Sequence, residues 1–188
     1  MTSPDTEALL AEVRQVRTEA DCLFTAEQVE AALDRLSAEI TARYENRNPL
    51  LVCVMNGGLM TTAGLLQRMD FPLQSDYLHA TRYRGETHGG ELHWLHEPGH
   101  SLQGRAVIVV DDILDEGYTL AAIVEHCRAR GAASVESVAL VEKRHTRKQG
   151  IEADYVGLVV EDRYVFGYGM DYKDYLRNAP GIFAVKGL

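Results

Sequence analysis

The sequence lacks an even set of cysteines, a long apolar segment and a secretion signal. Its three cysteines are Cys22, Cys53 and Cys127, and the latter two lie in apolar patterns, so we expect buried, reduced thiols. No segment approaches the length of a membrane span, and the N-terminus has neither the basic start nor the apolar core of a signal peptide. These absences predict a cytoplasmic protein with no membrane role.

Positive charge is also scarce. The chain has 19 Lys and Arg against 28 Asp and Glu, which gives a net charge of −9. A protein that binds nucleic acid or an anionic membrane surface needs a basic footprint, so we expect neither partner. Backbone amides, a few local cations or Mg²⁺ can still hold a small phosphorylated ligand. A length of 188 residues fits one domain, residues 1–188, with its own core.

The usual nucleotide-binding loops are missing, since the chain contains neither GxxxxGK nor a GxGxxG that opens a helix. A phosphate-accepting aspartate hydrolase would need an Asp-x-Asp pair, whereas Asp112 and Asp115 stand three residues apart. The sequence therefore indicates another kind of phosphate site.

The stretch from Ala106 to Thr119, AVIVVDDILDEGYT, is the most informative part of the chain. Ala106–Val110 predicts a strand buried on both faces, and ligands of open α/β sheets bind past such strands. Asp111 and Asp112 follow it as acceptors for ribose hydroxyls. A helix is predicted to begin near Tyr118 or Thr119 and to end at Gly131, and its first amides would hold a phosphate. An acidic strand end before a turn is also common in α/β proteins without this function.

The remaining pattern predicts strands that alternate with helices. Two helices are expected before residue 48, broken near Ala20–Phe24, and Thr25 with Gln28 forms a capping box for the second. Further helices follow Gly58 and Gly117. The expected strands are Leu50–Val54, Leu73–Ala80, Glu91–Leu95, Ala106–Val110, Val135–Glu142 and Tyr155–Val160.

Two polar segments need an interpretation. Thr81 to Gly90 is rich in glycine, and we expect it to be mobile. His93, His96 and His100 lie in HWLHEPGH, and we interpret them as loop histidines and not metal ligands. The proline and glycine before the last of them break a helix, and the strand period sends the first two to opposite faces.

Ala106 to Thr119 resembles the 5-phosphoribosyl-1-pyrophosphate (PRPP) motif of type I phosphoribosyltransferases. VEKR at Val141–Arg144 and EDRYVFGYGMDYKDYL at Glu161–Leu176, followed by Arg177, are similar to the purine-recognising segments of hypoxanthine-guanine phosphoribosyltransferases. LVCVMNGG at Leu51–Gly58 is similar to the family's pyrophosphate loop. The resemblance implies an α/β fold with a central, mainly parallel sheet flanked by helices, a helical N-terminal extension (1–48) and a small C-terminal hood (mainly 155–188).

The resemblance also implies a role for each matched residue. Asp115 would be the general base beside N7 of the purine. Lys143 would donate to O6, and Tyr164 would stack on the ring. The backbone at Val165 and Asp171 would face the base edge. The PRPP contacts would be Asp111, Asp112, Asp115, Glu116, Gly117, Tyr118 and Thr119. The pyrophosphate contacts would be Asn56, Gly57, Gly58 and Arg177. Mg²⁺ would be held by Asp111, Asp112 and, through water, Asp171. Arg82 and Tyr83 would belong to a closing loop.

The activity implied is transfer of the phosphoribosyl group from PRPP to N9 of hypoxanthine or guanine, giving IMP or GMP and pyrophosphate, in a homo-oligomer (dimer or tetramer). Three residues depart from the family pattern: Asn56 where lysine is usual, Glu116 where a small or hydroxyl residue is usual, and Arg82 where a small residue is usual. Two alternatives stay open, an enzyme that prefers xanthine and a PRPP-sensing regulator of transcription.

Overall fold

The computed structural model describes residues 4–82, 92–148 and 151–188. Its helices are α1 (Pro4–Glu19), α2 (Ala26–Tyr44), α3 (Leu59–Leu66) and α4 (Tyr118–Ala129). Its strands are β1 (Asp21–Thr25), β2 (Leu50–Val54), β3 (Gln74–Arg82), β4 (Leu92–His96), β5 (Ala106–Leu114), β6 (Ser134–Arg144), β7 (Tyr155–Glu161), β8 (Val165–Phe166) and β9 (Gly181–Ala184). None of the helices in these ranges has the length and apolar character needed to cross a membrane.

A six-stranded sheet forms the centre of the fold, in the order β4-β3-β2-β5-β6-β7. Neighbouring strands run parallel except β3 and β4, which are antiparallel. Helix α3 connects β2 to β3, and α4 connects β5 to β6, as parallel neighbours require. The expected α/β fold with a mainly parallel central sheet is therefore confirmed.

Strand β5 is buried on both faces, as its unbroken apolar run predicts. Val107 and Val109 pack in the cluster that includes the apolar face of α4. Ile108 and Val110 pack on the other side, in the cluster that includes the apolar face of α2. Because successive side chains of a strand point to opposite faces, one short segment connects both halves of the core.

Strand β5 is longer than expected at the end that matters for function. Ile113 and Leu114 pair with Val141 and Glu142 of β6, so the strand continues to Leu114. Asp111 and Asp112 therefore lie inside the strand and not past its end, which corrects the expected boundary at Val110.

A second, antiparallel sheet has the order β1-β9-β8. The break expected between two N-terminal helices is β1, which pairs with β9 near the other end of the chain. The capping box of Thr25 and Gln28 is present at the start of α2. Strand β7, which the expected hood range 155–188 includes, instead pairs with β6 at the edge of the large sheet. The N-terminal segment thus contributes to the small sheet, and β7 does not.

Of the three histidines interpreted as loop residues, His93 and His96 lie in β4 instead, and His96 and His100 have local partners. The His96 ring stacks on Tyr77, with 4.2 Å between ring centroids. Nδ1 of His100 lies 2.7 Å from Oδ2 of Asp76, while His93 is exposed on the strand. Tyr83 and most of the expected mobile loop lie outside the described residues, and of Arg82 only its place at the end of β3 is described.

Candidate active site

The predicted site residues other than Arg82 and Tyr83 meet at the edge where β2, β5 and β6 end. Two glycines of the loop after β2 allow it to lie directly against β5. A Cβ atom at Gly57 would stand 2.1 Å from Oδ2 of Asp112, and one at Gly58 would stand 2.4 Å from the carbonyl oxygen of Val110. Any side chain would force the loop away, so the glycines bring the expected pyrophosphate loop, including Asn56, next to the acidic pair.

Asp111 and Asp112 form that acidic pair. Oδ1 of Asp111 accepts the backbone N–H of Asp112 at 2.9 Å, and Asp112 is 8% exposed. Burial raises the pKa of both carboxyl groups, and the neighbouring charge of Asp112 raises the pKa of Asp111 further. A pair of oxygen donors that repel each other's charge suits a hard divalent cation, so this donor set fits Mg²⁺.

The turn between β5 and α4 borders a cavity of about 360 Å³, whose lining includes Asp111 and Asp112. Gly117 has a φ of +91°, in the region that favours glycine, and α4 begins at Tyr118, as expected. The amides at the start of α4 lie at the positive end of the helix dipole. The residues expected to bind ribose and 5′-phosphate are thereby brought together, although Tyr118 is not part of the lining.

Glu116 places a carboxylate in this turn, and Arg147, which it shares with Asp162, compensates it in part. Nε of Arg147 lies 3.5 Å from Oε1 of Glu116. The same guanidinium holds both oxygens of Asp162, at 2.6 and 3.1 Å. Arg147 therefore reduces the negative charge that Glu116 adds beside the candidate phosphate position.

The four residues expected to recognise the purine line one cavity of about 170 Å³: Lys143, Tyr164, Val165 and Asp171. Asp112 and Asp115 line both this cavity and the larger one. Tyr164 is exposed, and it makes an edge contact with Tyr172 at 5.7 Å between centroids. A base and a sugar phosphate held in these cavities would therefore meet at Asp112 and Asp115.

Asp115 accepts two side-chain donors. Nζ of Lys143 lies 2.8 Å from Oδ2, and Nε2 of His145 lies 2.7 Å from Oδ1. Burial raises the pKa of Asp115, but the hydrogen bonds and charges of Lys143 and His145 outweigh it and leave the pKa below its ordinary value. Asp115 is therefore ionised and oriented. Sequence reasoning missed His145; the only signal was its place just past a strand that ends at the same edge.

Asp115, His145 and Asp162 bring potential ligand atoms within 4.8 Å of one another. Each carboxylate already has a cation, Lys143 for Asp115 and Arg147 for Asp162. The charge of this cluster is thus largely neutralised by the chain itself.

Arg177 lies near the acidic pair, where its positive charge acts to lower the pKa of Asp112. Its guanidinium donates to the carbonyl of Gly169 at 2.8 Å and forms ion pairs with Asp171 at 2.7 Å and Asp174 at 3.2 Å. Asn56, Gly169 and Arg177 border a cavity of about 570 Å³. The residues expected to bind pyrophosphate are close together, and Arg177 is held by the segment that also carries Asp171.

Comparison with known proteins gives a consistent answer. The family model for the phosphoribosyl transferase domain matches residues 19–174. The hypoxanthine-guanine phosphoribosyltransferase of Bacillus subtilis is 36% identical over 165 residues, which cover 87% of this chain and 92% of that protein. The crystal structure of a hypoxanthine phosphoribosyltransferase from Staphylococcus aureus superposes with a TM-score of 0.84 at 34% identity, covering 88% of this chain and 91% of that one.

A longer relative also matches. The bifunctional protein TilS/HprT of Listeria innocua is 38% identical over 165 residues, which cover 87% of this chain but only 26% of that protein. The chain thus spans about a quarter of the length of that bifunctional relative. Since the family model covers most of the chain and the Bacillus subtilis protein aligns over nearly its whole length, the chain belongs to the hypoxanthine-guanine phosphoribosyltransferase family.

Proposed function

We propose that this protein is a purine-salvage transferase, which moves the 5-phosphoribosyl group of PRPP to N9 of hypoxanthine or guanine and releases pyrophosphate. The observation that carries the proposal is the pair of adjoining cavities that share Asp112 and Asp115, one bordered by the acidic strand and helix turn, the other by Lys143 and Tyr164. IMP and GMP are the products.

The sugar reacts through a cationic, oxocarbenium-like state, as in glycoside hydrolysis. Asp111 and Asp112 lie beside the ribose position, where their negative charge favours that cation. The amides of the turn from Asp115 to Thr119 bind the 5′-phosphate, and Arg147 offsets the charge of Glu116 there. These residues orient the sugar before the base arrives.

Asp111 and Asp112, with Asp171 reaching it through water, would hold Mg²⁺, which would supply positive charge for the departing pyrophosphate. The chain adds Arg177 and the amide of Gly57, since Asn56 brings no positive charge of its own. The amide of Gly58, also expected to contact pyrophosphate, instead donates to the carbonyl of Val54 at 2.8 Å. Because the chain supplies only part of the positive charge that the departing pyrophosphate needs, we expect activity to depend on a divalent cation.

Lys143 and Asp115 divide the recognition of the base between them. Lys143 donates to O6 of a 6-oxopurine, whereas adenine presents an amino group, itself a donor, at that position. Asp115 accepts the proton at N7. Tyr164 stacks on the ring, and the backbone of Val165 and Asp171 faces its edge. The site therefore selects hypoxanthine and guanine over adenine.

The protein acts in the cytoplasm as a homo-oligomer, a dimer or tetramer, without nucleic-acid or membrane partners. An enzyme that prefers xanthine and a PRPP-sensing regulator are the alternatives. The regulator is disfavoured because the residues that would bind the base line one cavity with Asp115. Turnover requires the base and its proton acceptor to lie together in this way.

The test is an assay of nucleotide formation with PRPP, Mg²⁺ and each of adenine, hypoxanthine, guanine and xanthine. We expect turnover of hypoxanthine or guanine, little with adenine, and loss of activity when a chelator removes the divalent cation. Preferred turnover of xanthine would establish the first alternative. Absence of nucleotide from every base, combined with a gel shift on DNA, would establish the regulator.

A further inference from the structure

His145 has no role in the proposed reaction, yet it lies against the general base. It follows directly after β6, and its side chain is only 4% exposed. Nε2 lies 2.7 Å from Oδ1 of Asp115, and Nδ1 accepts the backbone N–H of Arg147 at 3.1 Å. Both ring nitrogens are therefore engaged.

The contact with Arg147 determines the tautomer of the imidazole. A nitrogen that accepts a hydrogen bond carries no proton, so the neutral ring has its proton on Nε2 and donates it to Asp115. A metal ion between Asp115, His145 and Asp162 would need the lone pair of Nε2 and would have to displace Lys143 and Arg147. The hydrogen bond at Nδ1 thus favours His145 as a donor to Asp115 over His145 as a metal ligand.

The substrate competes for one of the two donors to Asp115, Lys143, and not for the other, His145. Lys143 lines the base cavity, so a purine O6 competes with Oδ2 of Asp115 for its ammonium group. When Lys143 turns to the purine, Oδ2 is released toward the N7 proton. His145 is not part of that cavity lining, so its bond to Oδ1 persists.

The surroundings make that second bond important. The side chain of Asp115 is 42% exposed. The carboxylate of Asp162 also lies nearby with a like charge, since the potential ligand atoms of Asp115, His145 and Asp162 are all within 4.8 Å of one another. Arg147 pairs with Asp162 and contacts Glu116, and its positive charge also acts on Asp115. Once Lys143 leaves, His145 still donates to Oδ1 and so helps to keep the Asp115 carboxylate ionised and aimed at the base.

We propose that His145 is a positioning residue, which holds Oδ1 of Asp115 while Lys143 transfers from Oδ2 to the purine oxygen. The inference rests on the proposed function and adds a residue to it. It predicts that loss of the Nε2 donor slows proton removal from the base but leaves binding of the base unchanged.

The experiment compares His145→Leu, which has no donor, with His145→Gln, whose amide N–H can replace Nε2. A hydrogen bond to a charged group is worth enough to change a rate about 10- to 100-fold. We expect His145→Leu to lower kcat by that factor with purine KM within about threefold, and to shift the acid limb of kcat to higher pH, because the pKa of Asp115 loses a hydrogen bond that lowers it. His145→Gln should recover most of both.

Thr146→Ala, an exposed change at the next residue, is the matched control and should alter neither quantity. Equal loss of kcat in the Leu and Gln variants with an unmoved acid limb would overturn the proposal, because it would indicate a packing role. A rise in purine KM without a fall in kcat would also overturn it.

A measurement on the free protein separates this inference from the proposed function. Wild-type protein that makes no nucleotide from any base contradicts the proposed function. Nitrogen NMR of the His145 ring should then still report a proton on Nε2, with the Asp115 carboxyl titrating at higher pH in His145→Leu. A proton on Nδ1 of His145, or unchanged titration of Asp115 in His145→Leu, would overturn the inference that His145 donates to Asp115.

Discussion

Replacing Gly169 by alanine should separate the C-terminal segment from the loop after β2. Gly169 has a φ of +110°, and a Cβ atom there would stand 2.2 Å from the carbonyl oxygen of Gly57 and 3.3 Å from Cβ of Asp112. The first distance is more than about 1 Å shorter than ordinary van der Waals contact. Since the contact is with backbone, one of the two segments must move.

That movement reaches the site directly. The backbone of Gly169 is hydrogen-bonded at both ends to Arg177, through the carbonyl of Arg177 at 2.9 Å and its guanidinium at 2.8 Å. Arg177 in turn pairs with Asp171. A displacement of about 1 Å at a site that orients reactants costs about 10²-fold in rate, so kcat/KM should fall by about that factor. Backbone strain adds about 1 to 3 kcal/mol of lost stability.

Gly187→Ala is the matched control, because Gly187 also has a positive φ, +80°, but nothing lies within 4 Å of its Cβ position. It should lose stability through strain, about 1 to 2 kcal/mol, and keep its activity. Steady-state kinetics and urea unfolding of both variants separate the two effects. If Gly169→Ala loses no more activity than Gly187→Ala, the close approach of the two segments is not needed for function.

Three further changes test separate parts of the account. Lys143→Ala should cost about 1 to 3 kcal/mol for hypoxanthine and weaken discrimination against adenine; equal losses for the two bases in turnover assays would argue against a contact with O6. Tyr164→Ala should raise purine KM by a stacking loss of about 1 to 3 kcal/mol with PRPP KM little changed, whereas Tyr164→Phe should be nearly silent; equal damage by both would implicate the hydroxyl. Burial raises the pKa of Cys127 from 9.0 to about 11. The folded state therefore holds the thiol proton more tightly than the unfolded state, and this contribution of up to about 3 kcal/mol is present below pH 9 and lost as pH rises through 11. Urea unfolding across this range should show a smaller loss of stability in Cys127→Ala, and parallel curves would contradict the shift.

The sequence was most informative where chemistry and local structure share one short segment. From Ala106 to Gly117 the apolar run, the acidic pair and the turn glycine each predict their own environment, and the helix starts where expected at Tyr118. The predicted end of β5 at Val110 was wrong. Two adjacent aspartates are typical of a turn, so the pattern did not indicate that the strand continues through Ile113 and Leu114. Only their pairing with β6 extends the strand.

Features that depend on distant partners could not be predicted. Strand β1 has five residues and exists through its pairing with β9, which the local pattern at Ala20–Phe24 does not indicate. His145 belongs to no motif, and its importance comes from the place where the β6 and β5 ends meet. Arg147 likewise compensates Glu116 across a gap in sequence that no periodicity describes.

Our central claim is that Asp115 accepts the purine proton, and that the site binds PRPP whether or not residue 115 can accept a proton. Asp115→Asn keeps the shape of the side chain and removes most of its basicity, while the turn amides that would hold the 5′-phosphate remain. The most direct measurement is kcat with hypoxanthine together with calorimetric PRPP affinity for this variant. We expect a fall in kcat of roughly 10²- to 10⁴-fold with PRPP affinity nearly unchanged. A kcat close to that of the wild type would contradict it.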